Sequence, residues 1–150
     1  MRVVIQRVSN ASVLVDSDVV GKIGNGVMIL VGIENSDTDD DCNWLAKKIC
    51  SLRIFDDENG VMNKSLLEIK GEILAISQFT LHARTKKGNR PSYINAAKPE
   101  ISVPLYHAFV ACLEKESGKE VETGTFGAHM EVSLINDGPV TIVIDTKNKE

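Results

Sequence analysis

The run Ile73-Leu74-Ala75-Ile76-Ser77-Gln78-Phe79-Thr80-Leu81 constrains the fold more than any other stretch of the chain. Its first half, with β-branched Ile73 and Ile76, reads as a buried strand. Its second half turns polar with no Gly or Pro to break it, so Ser77, Gln78 and Thr80 stand at the end of a strand rooted in the core. Residues 82–90 then form a basic loop that ends in Gly88-Asn89-Arg90-Pro91. A rigid strand feeding hydroxyls and an amide into a cationic loop suits a site for an anionic substrate. The same residues also suit an ordinary strand end whose Ser and Thr satisfy nearby backbone groups.

A chain of 150 residues has the length of one domain, taken here as 1–150. At that size about 68–70% of the unfolded surface can be buried, so no staple is needed. Residues 1–8 make no signal peptide, since the apolar part is short and Arg interrupts it. No run approaches the ~20 apolar residues of a membrane span. Cys42, Cys50 and Cys112 are odd in number and widely spaced, which argues against a disulfide framework. The expected location is the cytoplasm.

The net charge of −4 argues at first against a nucleic-acid partner. Its distribution argues differently. No acidic residue lies between Glu72 and Glu100, a window holding His82, Arg84, Lys86, Lys87, Arg90 and Lys98. Acids gather instead at Asp37 and Asp39 to Asp41, and at Asp56 to Glu58. One positive face on an acidic protein suits a brief electrostatic contact with phosphates; a solvated loop is the alternative.

Strands are predicted at 2–8, 11–16, 19–23 and 27–33, the last apolar nearly throughout and so covered on both faces. Asn25-Gly26 predicts a hairpin between the third and fourth. A helix follows, capped by Asp37 or Thr38, with Cys42, Leu45, Ile49 and Leu52 on its inner stripe and Trp44 off it. Residues 53–55 read as a short strand, and 56–60 as a turn of solvated acids rather than a metal site. A second helix is predicted within 99–117, with Leu105, Phe109, Cys112 and Leu113 inward. Pro104 is placed in its first turn with Ser102 as cap, and Gly118 closes it. Strands resume at 120–123, 130–136 and 140–145, and the tail 147–150 is expected to be loose. Seven or eight strands with two helices predict an α+β domain with a curved or barrel-like sheet.

Familiar catalytic patterns are missing: there is no Gly-x-Ser-x-Gly elbow, P-loop or Cys-x-x-Cys. His82, His107 and His129 are scattered and give no zinc spacing, so neither metal nor cofactor is expected. For Thr80 as a nucleophile, His82 is the only local base, and on a strand the two would share a face.

Ser77-Gln78-Phe79-Thr80-Leu81, together with Asn136-Asp137-Gly138-Pro139-Val140-Thr141, resembles the D-aminoacyl-tRNA deacylases. Arg53-Ile54-Phe55-Asp56-Asp57, Gly88-Asn89-Arg90-Pro91-Ser92 and Gly124-Thr125-Phe126-Gly127-Ala128 also stand where that family carries similar runs. Two departures are His82, where an aromatic is expected, and Tyr93, where Phe is usual. The resemblance implies a β-barrel flanked by helices and assembled as a homodimer. It implies hydrolysis of the ester of D-aminoacyl-tRNA, and of glycyl-tRNA, with L-aminoacyl-tRNA rejected. Ser77, Gln78, Phe79 and Thr80 would line the pocket, with Thr80 a positioner rather than an attacker. The terminal ribose hydroxyl would assist. Gly138-Pro139, cis in the family, would reach into the partner's pocket and exclude L side chains. The charge pattern, and not the resemblance, makes Arg84, Lys86, Lys87 and Arg90 the candidate contacts to the tRNA backbone.

Overall fold

In the computed structural model, which describes residues 1–149, β1 (Arg2–Val15), β2 (Asp18–Ile23) and β3 (Gly26–Gly32) lead into α1 (Asp39–Ser51). A small hairpin follows, β4 (Phe55–Asp56) with β5 (Met62–Lys64), and then β6 (Glu72–Ser77). A 3-10 turn at Phe79–His82, α2 (Pro99–Ser117), β7 (Glu122–Thr123) and β8 (Glu131–Asp145) complete the order. The main sheet runs β2-β1-β3-β6-β7, with β8 along the other edge of β1. This is the curved α+β sheet with two helices that the pattern predicts.

Residue parity sorts the sheet into two cores. Val27, Ile29 and Val31 of β3, with Ile73 and Ala75 of β6, face the helices and pack on Leu45, Ile49, Phe109 and Leu113. Met28, Leu74 and Ile76 face the other way, onto Val8, Ala11, Val13 and Ile23. The far halves of the long strands β1 and β8 bend over this second face, and Met130, Val132 and Leu134 close it. Curvature comes from register shifts in the β1–β8 ladder on either side of Val8.

Several boundaries differ from expectation. The predicted strands 2–8 and 11–16 are one strand, because the ladder with β8 absorbs Ser9 and Asn10 at a shift instead of a turn. No hairpin forms at Asn25-Gly26: β2 and β3 lie end to end along one edge of β1. Gly26 answers another need, since a Cβ there would sit 1.9 Å from the Glu72 carbonyl oxygen. In α1, Thr38 is the cap and shares a capping box with Asp41. Asp37 is instead buried in an ion pair with the Met1 ammonium, which also donates to Thr146 Oγ1 at 2.6 Å.

Helix α2 starts earlier than predicted, with Pro99 at its first turn and Pro104 inside. Glu100, whose carbonyl loses its i+4 donor, is exposed as Pro104 is, so water can serve it. Ser102 is not the cap: it is buried within the helix and donates to Lys98 O at 3.1 Å. Tyr106 joins Phe109 and Leu113 on the buried stripe, while Leu105 and Cys112 are only half-buried. The predicted strands 130–136 and 140–145 form one element, β8. Nor is the tail loose through Lys149. Lys147 Nζ pairs with Asp41 at 2.8 Å and Lys149 Nζ lies 4.1 Å from the Trp44 ring centre. Glu150 lies outside the described residues. Cys42, Cys50 and Cys112 are free thiols.

Candidate active site

Strands β3 and β6 run parallel, with Val31 opposite Ser77. The Gln78 amide extends the ladder by one bond, donating to Val31 O at 2.7 Å. The chain then tightens into the 3-10 turn, where Leu81 N–H reaches Gln78 O and Ala83 N–H reaches Thr80 O. Gly32 makes room for it, since a Cβ there would stand 2.9 Å from Leu81 Cβ. The Phe79 and Thr80 amides open the turn, the position at which N–H groups lack a partner within it. Gln78 Nε2 donates to Thr80 Oγ1 at 2.6 Å, which fixes the hydroxyl and leaves its proton free to donate. The exposed Phe79 ring stands edge-on to Tyr93, with centres 5.0 Å apart.

The strand-face pairing of Thr80 with His82 does not form. Residues of a 3-10 helix are rotated by about 120° each, so i and i+2 diverge. His82 is buried beneath the turn and its Nε2 has no hydrogen-bond partner among the described residues. His107 is on the exposed side of α2, and His129 is at the cavity described next. Among the described residues no three His, Cys, Asp or Glu side chains gather as a metal site.

At the end of β6 opens a cavity of about 580 Å³. Ser77, Gln78 and Phe79 line it, with the start of α2 at Pro99 and Ser102, and with Phe126 to Met130 and Val132. Ile76, Met130 and Val132 floor it, so the cavity is the open end of the second core. Thr80 is bonded to the Gln78 side chain and is not itself a lining residue.

Gly138 and Pro139 are joined by a cis peptide at an exposed point of β8, where residues 136 to 141 oppose only Val8 to Gln6 of β1. The extra residues arch out of the sheet. Arg7, only 6% exposed, anchors the arch. Its Nε donates to Asp137 O at 3.0 Å and its Nη1 to Ile54 O at 2.8 Å, and it pairs with the carboxylates of Asp56 and Asp137. Within one chain the arch does not line the cavity.

Arg84 and Ser92 close the basic loop through two mutual backbone bonds. Arg84, Lys86, Lys87 and Arg90 are exposed on it and do not line the cavity. Tyr93, Lys98 and His129, which do, were not among the expected site residues, and neither was Arg7. Arg7 had a legible signal: it continues the inward phase of Val3 and Ile5, where a charge needs partners.

A curved α+β sheet with a preformed, polar-ended cavity at the end of a parallel strand pair is the class that fold and site define. A family model described as D-Tyr-tRNA(Tyr) deacylase matches residues 4–145, and the chain belongs to that family of hydrolases. It is 68% identical to a protein of Bacteroides thetaiotaomicron and 69% identical to one of Bacteroides fragilis. A protein of Flavobacterium psychrophilum is 67% identical. All three matches span 150 residues and the whole of both chains, and all three relatives are named D-aminoacyl-tRNA deacylase. A solved c-Myc DNA unwinding element binding protein is 39% identical, with a TM-score of 0.90 over 97% of this chain and 99% of that one. A probable eukaryotic D-amino acid tRNA deacylase, 20% identical, shares the fold with a TM-score of 0.83 over 95% and 97%.

Proposed function

We propose that this protein hydrolyses the ester linking a D-amino acid to the terminal ribose of tRNA. Water adds to the ester carbonyl, the carbon–oxygen bond to the ribose breaks, and the ribose oxygen takes up a proton. Free D-amino acid and tRNA leave. An activated ester needs little beyond positioning and donors aimed at the developing oxyanion. The supporting observation is the junction of β6 with the 3-10 turn. There the Phe79 and Thr80 amides stand without acceptors in the turn, and Thr80 Oγ1 is held by Gln78 rather than by a base. Thr80 is therefore a positioner, while Ser77, Gln78 and Phe79 contact the substrate.

Gly138 and Pro139 carry the chirality reading. They sit on an arch anchored by Arg7, outside their own chain's cavity, and we assign them to the cavity of a second copy in a homodimer. Rigid backbone against the α-carbon leaves no room for an L side chain, so L-aminoacyl-tRNA is rejected. Glycine has nothing to exclude and glycyl-tRNA is accepted. The arch reads configuration and not side-chain identity, so use of D-amino acids is broad. Arg84, Lys86, Lys87 and Arg90 then meet tRNA phosphates, residues 1–150 act as one domain, and the cytoplasm is where the substrate occurs.

Paired hydrolysis of D-tyrosyl-tRNA and L-tyrosyl-tRNA by the purified protein, with and without EDTA, tests this reading. Rapid loss of the D ester alone, unaffected by chelator, is the expected result. Survival of both esters would sink it, and loss of activity with EDTA would sink its metal-independent chemistry.

A further inference from the structure

Away from the cavity at β6, a second surface combines cations with an aromatic ring. Trp44, the only tryptophan of the chain, is half-buried on α1 with a concavity on each side. One, of about 390 Å³, is lined by Trp44, Lys47, Lys48, Ser51, Leu52 and Arg53. The other, of about 570 Å³, runs from Trp44 and Lys48 to Arg2, Asp145 and Lys149. Together they gather, among the described residues, five cations and a single carboxylate, Asp145, which is already paired with Arg2 at 2.8 Å. Among the described residues Lys47, Lys48 and Lys149 have no carboxylate partner. Two of them approach the indole instead, Lys149 at 4.1 Å and Lys48 at 5.8 Å from its centre.

Cations that lack carboxylate partners among the described residues, gathered beside one half-buried ring on a chain of net charge −4, make a local positive patch that attracts an anionic partner. A hydrogen bond also links the site to the groove. Arg2 lines it, and Arg2 Nη1 donates to Leu81 O at 2.8 Å, inside the 3-10 turn that carries Phe79 and Thr80. We propose that the Trp44 groove is a second tRNA-binding surface, which holds backbone phosphates of the strand whose end lies at the Ser77–Phe79 cavity. The inference rests on reading the substrate as aminoacyl-tRNA. Phosphates are met by Lys47, Lys48, Arg53 and Lys149, and Trp44 supplies a stacking face of the kind single strands use. The basic loop at Arg84 to Arg90 is a separate contact, since none of its cations lines the groove.

Because Trp44 is the sole tryptophan, binding can be followed by its fluorescence. Uncharged tRNA is titrated into the unsubstituted protein, into Lys47→Ala/Lys48→Ala/Lys149→Ala, and into the control Lys22→Ala/Lys115→Ala/Lys119→Ala. All six lysines are exposed and each triple removes the same charge. The expected result is quenching of Trp44 that salt reverses. In the groove triple, affinity falls about tenfold or more at low salt and the slope of log affinity against log salt flattens by about 2 to 3, as three lost phosphate contacts require. The control triple should change the slope far less. Bound tRNA with unchanged emission, equal losses in the two triples, or no tRNA binding would each overturn the proposal. Hydrolysis of D-tyrosyl-tRNA by the unsubstituted protein is scored separately. Its absence alongside groove-dependent binding would refute the deacylase reading and leave the groove standing.

Discussion

Gly138 shows how much a single backbone position can carry. Its φ of +127° is one that L side chains rarely adopt, and a Cβ there would stand 2.9 Å from Val140 Cγ2 and 3.0 Å from Arg7 Nη2. Gly138→Ala should therefore displace the arch from Arg7 and lower turnover of D-tyrosyl-tRNA by tenfold or more, on the order of the loss expected from a misplaced positioning group. Single-turnover assays at saturating enzyme would show it, and wild-type rates would remove the arch from the site. Asp37 is a second case. Its carboxylate and the Met1 ammonium are both fully shielded from solvent, so Asp37→Asn leaves a buried charge uncompensated. Loss of about 3–5 kcal/mol is expected. A urea midpoint within error of the parent would show that water already reaches the pair.

At the scale of elements, α2 and β6 are tied by one polar bond across the apolar layer: Tyr106 Oη donates to Ala75 O at 2.8 Å. Strand β7 pairs only Leu74 and Ala75, so β6 has little other support on that edge. Tyr106→Phe should cost about 1–3 kcal/mol by orphaning that carbonyl. Burial pushes the phenol up to about 12 from the ordinary 10. With the folded pKa above the unfolded one, the unfolded chain releases its proton first as pH passes 10. The tyrosine's share of stability is thus full below pH 10 and declines as pH rises toward 12. Buried Cys42 and Cys50 titrate in the same direction, so the quantity to measure is the gap between parent and Tyr106→Phe. That gap should narrow between pH 10 and 12, and a constant gap would mean that the phenol ionises alike in both states.

For the whole molecule, the decisive matter is where the arch of one chain lies. If it completes the cavity of a second copy, Gln78→Ala and Gly138→Ala proteins, each weakly active, should regain activity on mixing. A hybrid dimer holds one cavity with intact Gln78 facing one intact arch. No recovery, in a mixture shown to exchange subunits, would place site and arch in one chain. The basic loop makes a separate prediction. Lys86→Ala/Lys87→Ala should weaken tRNA binding and flatten its salt dependence by about 1 to 2 in slope. Unchanged affinity at low and high salt would remove the loop from the interface.

Periodicity and local chemistry set much of what these scales share. The all-β opening, both helices, the central burial of β3 and the closing Gly118, which is left-handed at φ +69°, were legible because each depends on neighbours within a turn or a strand. Ser77, Gln78 and Thr80 were legible as a polar strand end; Ser77 and Gln78 line the cavity, and Thr80 does not. Other features belonged to the tertiary structure, since their causes lie far away in sequence. Gly26 is required by the backbone of Glu72 and not by a turn, and Asp37 serves Met1 and not its helix. Thr80 parts from His82 because the chain tightens over Gly32. Arg7 finds Asp56 and Asp137, and the tail finds Asp41 and Trp44, only after the sheet has curled. Sequence by itself determined which residues form strands and helices and which polar groups end β6, since short-range sterics and burial period decide both. Tertiary structure decided which distant groups face one another, because pairing across the sheet depends on register shifts that no local pattern encodes.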